Sequence, residues 1–385
     1  MKDLLLTLNQ DAGRLVALLS GHAEQVGAVS DAEWEGLIAL ARKNGVAQML
    51  YTALKAQEVT PPPQAASVIR SIHLASAVHG TKQFHELEKI VQVLHTAGIP
   101  VVPVKGAWLG EAVYGNIALR GMTDLDLWVK RNQVDEACRV MVSLGYSLVS
   151  SRTDRPQPLQ DELLAEKKLF KSGAPIVELH WAIFVGEWLR HTARIDEELV
   201  WQRTCSYKGE MLRQLSAEDA IIHIGVHLAV NHQMSLSGFR ALLDLDRARR
   251  KLSVDWGVVA CRAKEWRVAT SMWIVLLMLA QLFGDTEKEL PLSELEPSWF
   301  HQWLLTHFVS PQSILDAHEI TGLRRFLFLL ALVDKPVGLI NLVGRTLVPD
   351  RTWLILRYGL QEAPFWRVLL QRLWHPLRLL LKKEI

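Results

Sequence analysis

The chain has 385 residues, 49% of them hydrophobic and 22% charged, which excludes general disorder and suggests two or three folding units at ~150 residues each. Its 43 Lys and Arg against 41 Asp and Glu leave a formal charge of +2, so no global field draws it to nucleic acid. Three scattered cysteines, Cys138, Cys205 and Cys261, form no CxxC pair; they read as reduced thiols of a cytoplasmic protein and argue against a disulfide scaffold or a thiolate zinc site.

Residues 1–97 read as a helical region. The opening apolar run, MKDLLLTLNQ, is too short for a signal peptide and soon meets Asp11 and Arg14. Ser30-Asp31-Ala32-Glu33 is a capping-box pattern, and Trp34, Leu37, Ile38 and Ala41 follow it at helical spacing. Thr60-Pro61-Pro62-Pro63 breaks the chain before a long helix predicted over 64–97. Residues 98–205 change pattern. Ile99–Val104 is β-branched and interrupted by proline, as in a strand near a sheet edge, and 107–114 reads as a short helix. Strands are predicted over 124–129, 146–150 and 176–181, with a helix over 132–144 and a polar stretch at 151–160. From Ser216 the pattern is helical again, with helices expected over 239–251, 255–284, 312–333 and 351–382. No run of about 18 uninterrupted apolar residues occurs. The nearest, 326–333 with 337–343, is split by Asp334-Lys335-Pro336 and reads as two buried helices. The expected division is therefore 1–97, 98–205, a helical 206–290 and a basic helical 291–385, an α+β chain overall.

In a strand, residues two apart share a face. Asp124 and Asp126 then project together, opposite Leu125, Leu127 and Val129; Glu178 and His180 do the same in Val177-Glu178-Leu179-His180-Trp181. Paired carboxylates repel unless a cation lies between them, and magnesium takes oxygen ligands while keeping sites for phosphate. An exposed polar face is the plain alternative for the Asp-x-Asp pair. If the two strands are neighbours, three acids meet in a patch able to hold two magnesium ions for an in-line phosphoryl-type displacement. Lys105-Gly106 stands where a strand turns into a helix, a place that suits phosphate, and Arg120 precedes the acidic strand. Singly, Lys105 and Arg120 read more often as solvated surface charges.

The run IPVVPVKGAWLGEAVYGNIALRGMTDLDLWV, with Gly145-Tyr146 and VELHW after it, resembles the uncharacterised nucleotidyltransferases of the polymerase-beta-like superfamily. EWEGLIALARKNGVAQMLYTAL before it and LSAEDAIIHIGVHLAVNHQMSLSGFRALLDLDRA after it extend the resemblance over about residues 30–285. The resemblance implies a small mixed β-sheet core and transfer of a nucleoside monophosphate from a nucleoside triphosphate. It implies metal-binding carboxylates at Asp124 and Asp126, a third acid at Glu178, and two Mg2+ ions, with Mn2+ as a substitute. From their placement, Lys105, the Gly106 amide and Arg120 would hold the triphosphate. Ala107 stands where the wider superfamily carries a serine, so Lys105 would supply the phosphate contact or nucleotide binding is weakened.

His223 and His227 share a helix face, with His232, Arg240 and Asp244 beyond. This set reads in three ways: buried histidines of a helical bundle with an Arg240–Asp244 ion pair, a metal phosphohydrolase site, or, with His180, one wall of an acceptor pocket. Trp128 and Trp181 follow the acidic positions and either pack or stack on a base. A catalytically degenerate binding module is the alternative to an enzyme. The acceptor (small molecule, peptide, protein or RNA) is open. Residues 324–385 hold eleven Lys and Arg against four Asp and Glu, read as an amphipathic helix with a solvated basic face or a weak contact to an anionic surface.

Overall fold

The computed structural model describes residues 8–149, 165–209, 212–235, 237–284, 289–360 and 363–381. The polar stretch 151–160 lies outside the described residues. The chain is α+β, with a small mixed sheet among many helices. The first helices are α1 (Gln10–Ser20), α2 (Asp31–Lys43), α3 (Ala47–Ala56) and α4 (Pro63–Thr96). The capping box forms as read. Ser30 accepts from the Glu33 amide, and the Glu33 carboxylate accepts from the Ser30 amide at 2.7 Å. Trp34, Leu37, Ile38 and Ala41 make the buried stripe of α2. Ser30→Ala is expected to cost about 1 kcal/mol in urea unfolding, because the Glu33 amide loses the Ser30 hydroxyl that accepts from it.

Five strands form one sheet in the order β1-β2-β5-β4-β3: β1 (Val102–Pro103), β2 (Asp124–Trp128), β3 (Ser147–Val149), β4 (Glu166–Phe170) and β5 (Ile176–His180). β2 and β5 pair in parallel, and the other pairs are antiparallel. Helices α5 (Gly106–Ala112) and α6 (Val134–Ser143) connect them. Leu125, Leu127, Val177 and Leu179 point to one face and pack on Leu87, Ile90 and Leu94 of α4 and on Val134, Ala137 and Met141 of α6. The opposite face carries Asp124, Asp126, Glu178 and His180. It is covered too, since Trp128 on that face is buried edge-on against Trp201. β4 was not anticipated: its consecutive charges Glu166, Lys167 and Lys168 hide the alternation that Leu169 completes. Strand structure also runs slightly past 205, in the ribbon β6 (Cys205–Ser206) and β7 (Arg213–Gln214).

Helices α7 (Glu187–Thr192) and α8 (Glu197–Gln202) lead to α9 (Ala217–Val226), capped by Ser216 and continued by a π turn at His227–Asn231. Then come α10 (Gly238–Lys251), α11 (Trp256–Glu265) and α12 (Ala269–Phe283), the last two separated at Arg267, whose φ is +60°. The single helix expected over 255–284 is thus two. The same holds further on: α13 (Leu292–Leu295), α14 (Trp299–Phe308), α15 (Pro311–Leu315), α16 (Gly322–Ala331), α17 (Pro336–Leu347), α18 (Arg351–Tyr358) and α19 (Phe365–Leu381). Gly359, at φ +64°, ends α18. α14 was not anticipated. The second of the two helices expected to be buried is not so: Val337 and Ile340 of α17 are 49% and 69% exposed. On the last helix Arg367 is exposed, as expected of a basic face, but Trp366, Leu370 and Leu373 are turned outward as well. No helix among the described residues is long and apolar enough to cross a membrane. One hydrophobic cluster runs from Leu8 to Leu342, so helices before and after the sheet share a core.

Candidate active site

The register of the sheet builds the site. Asp126 on β2 stands directly across from Glu178 on β5, and Trp128 across from His180. On the other side of β5, Lys168 faces Glu178 and Glu166 faces His180. Cross-strand neighbours project to the same face, so three strands deliver an acidic patch threaded with cations. The Lys105 ammonium lies 2.7 Å from Asp126 Oδ1, and His180 Nε2 lies 2.9 Å from the same oxygen. Lys168 Nζ is 2.6 Å from Glu178 Oε1, and His180 Nδ1 is 3.5 Å from Glu166 Oε2. His180, expected in an acceptor pocket, is therefore inside the carboxylate cluster.

The charges are strongly coupled. Burial works to raise Asp126, but Lys105 and His180 outweigh it and hold its carboxyl well below the usual range. Asp124, two residues up the strand and partly exposed, moves the other way: burial and then the charges of Asp126 and Glu178 raise it. Glu166 is raised by burial and by Glu178. A patch in which neighbouring carboxyls are driven in opposite directions has room for additional positive charge.

Lys105 occupies a strained backbone conformation, φ +50° and ψ −129°, directly before α5. Such geometry costs of order 1–3 kcal/mol and is held only by its surroundings. Gly106 explains part of that setting. A Cβ there would lie 2.9 Å from Met122 Cβ, so only glycine lets the turn close onto the segment leading into β2. Ala107 is buried.

Arg120 and Asp244, assigned separately from the sequence, form one buried ion pair. Arg120 Nε lies 2.8 and 2.9 Å from the two Asp244 oxygens, and Tyr114 Oη donates to Oδ1 at 2.8 Å. The expected Arg240–Asp244 pair is replaced by this one, because the partner 124 residues away is buried against α10. Arg240 instead donates to Ser237 Oγ at 3.0 Å and forms no ion pair among the described residues. Burial and then Arg120 lower its pKa, while Asp244 and Asp124 act in the opposite sense, which places it between these groups.

The histidine face of α9 looks toward this cluster. His223 is buried, edge-on to Phe184, and its pKa is pushed down to about 3 by burial and then by Lys105. His227 is held well below its ordinary value by the same two causes. His232, with its Nε2 3.0 Å from His227 Nε2, is lowered to about 4. Neutral imidazoles fit the bundle reading. Among the described residues the one triad with metal-binding spacing is Asp126, Glu178 and His180, and it includes neither His223 nor His227. Trp128 packs in the core and offers no face to a base, and Trp181 lies under the Arg131 guanidinium at 4.3 Å.

The profile of a family described as uncharacterised nucleotidyltransferase matches residues 30–284, about two thirds of the chain. The chain belongs to that family. No curated protein and no solved structure matches it. Glu166 and Lys168, which the sequence reading did not single out, join the carboxylate cluster from the unanticipated β4. The donor set itself fits a divalent cation: Asp126, Glu178 and His180 each offer an atom within 4.8 Å of the others, and Asp124 adds a carboxylate at the exposed end.

Proposed function

We propose that the chain is a magnesium-dependent enzyme that transfers a nucleoside monophosphate from a nucleoside triphosphate to an acceptor. The observation that carries this reading is the pairing of Asp126 with Glu178 on adjacent parallel strands, with Asp124 on the same face. Asp124 and Asp126 would hold magnesium, or manganese in its place, and Glu178 would complete the acceptor side. When bound, such cations neutralise the triphosphate and favour ionisation of an attacking hydroxyl.

The chain's own residues do the remaining work. Lys105, which sits against Asp126 beside the Gly106 turn, would be the residue to contact the phosphates. Arg120 braces that turn through Asp244, and the unpaired Arg240 supplies a second cation. The neutral His223 and His227 wall the acceptor side without adding charge. An acceptor oxygen or nitrogen then attacks the α-phosphorus, and the bond to the bridging oxygen breaks to release pyrophosphate. Ala107 in the serine position favours one second reading, a nucleotide-binding module that has lost transfer.

Incubation with magnesium and α-labelled triphosphates in lysate should move label onto an acceptor, with none moved by Asp124→Ala. Binding of triphosphate without any transfer would favour the module, and the absence of both would remove the proposal.

A further inference from the structure

The last helices turn an apolar surface outward from a firmly anchored position. In α19, Trp366, Leu369, Leu370 and Leu373 recur at helical spacing on one face, and each is between 45% and 65% exposed. The opposite face docks through Val368 and His375, both buried. His375 fixes the helix in rotation. Its Nε2 donates to the Thr346 carbonyl at 3.1 Å, which leaves Nδ1 to accept from Tyr358 Oη at 2.8 Å. α19 is thereby locked to both α17 and α18. α17, packed beside it, shows Val337 and Ile340 to solvent.

Charge selects the occupant. At 100° per residue Arg367 and Arg372 fall on the two borders of the α19 face, where long cationic side chains can lie along apolar surface with their heads in water. Residues 324–385 carry eleven Lys and Arg against four Asp and Glu. A second copy of this surface would set like charge against like, which disfavours self-association. A helix with leucine and tryptophan on one face and arginine at its margins matches a helix lying in the plane of a negatively charged bilayer. Since no described helix can span one, the contact is peripheral.

We propose that α17 and α19 form a docking surface for an anionic lipid bilayer. It stands independently of whether the carboxylate cluster transfers nucleotides. The test is sedimentation of the full chain with vesicles of phosphatidylcholine alone or mixed with phosphatidylglycerol. The chain should pellet with the anionic vesicles only, with a blue shift in tryptophan emission, and added salt should release it. The double variant Leu370→Glu, Leu373→Glu should weaken partitioning at least about tenfold. Both side chains already face solvent, so circular dichroism and melting should match the wild type. Failure to pellet with anionic vesicles overturns the proposal, as does binding unchanged in the double variant. So does a dimer in sedimentation velocity that the double variant dissolves.

Discussion

Asp126→Asn is expected to lower nucleotidyl transfer by at least about a hundredfold, the scale of losing one preorganised charge at a reacting centre. Asp126 is the hub of the cluster, meeting Lys105 and His180 through one oxygen and standing across the sheet from Glu178. An amide keeps the volume and an acceptor for Lys105, so the fold should survive while the anionic charge is lost. Calorimetry with magnesium and each triphosphate on both proteins separates the outcomes. Tight metal-dependent binding in the wild type, lost in the variant with its melting temperature retained, supports the carboxylate site. Equal binding by both proteins, or by neither, counts against it.

Acidification should destabilise the protein through His223. Its native pKa of about 3 lies below the unfolded value of 6.5, so above about pH 6.5 both states hold a neutral ring and the stability is fully present. As pH falls below 6.5 the unfolded chain takes up a proton that the native chain refuses. Unfolding is then favoured progressively until the native group titrates too. From about pH 7 to about pH 5 this one residue should cost about 2 kcal/mol. Urea unfolding at both pH values, on wild type and His223→Gln, measures it. The glutamine variant should show a shallower pH slope, whereas identical slopes would mean that His223 charges freely inside the fold.

Much of this arrangement was legible because a strand repeats every two residues. Asp124 with Asp126, and Glu178 with His180, announce a shared face without any knowledge of partners, and the parallel pairing of β2 with β5 joins the two halves. The capping box at Ser30 was readable for a similar reason, being wholly local. β4 was not, because Glu166, Lys167 and Lys168 give a run of charges with no visible inner face until neighbouring strands bury Leu169. The Arg120–Asp244 pair depends on a contact between residues 124 apart, and no periodicity reports that. Likewise the break at Arg267 needs a left-handed backbone that a non-glycine residue adopts only under tertiary constraint. On the last helix the sequence shows both an apolar and a cationic stripe. What turns inward is Val368 with His375, the latter held by polar bonds that amphipathicity does not report.

Lys105 and Lys168 each rest on a carboxylate of the cluster, so the chain itself offsets part of the repulsion among Asp124, Asp126, Glu166 and Glu178. Zinc fingers and similar small domains collapse only around their ion, because ligand repulsion is otherwise unanswered. Here the ammonium groups answer part of it beforehand. The cluster is thus assembled in advance, with two tethered ammonium groups already seated among its acids.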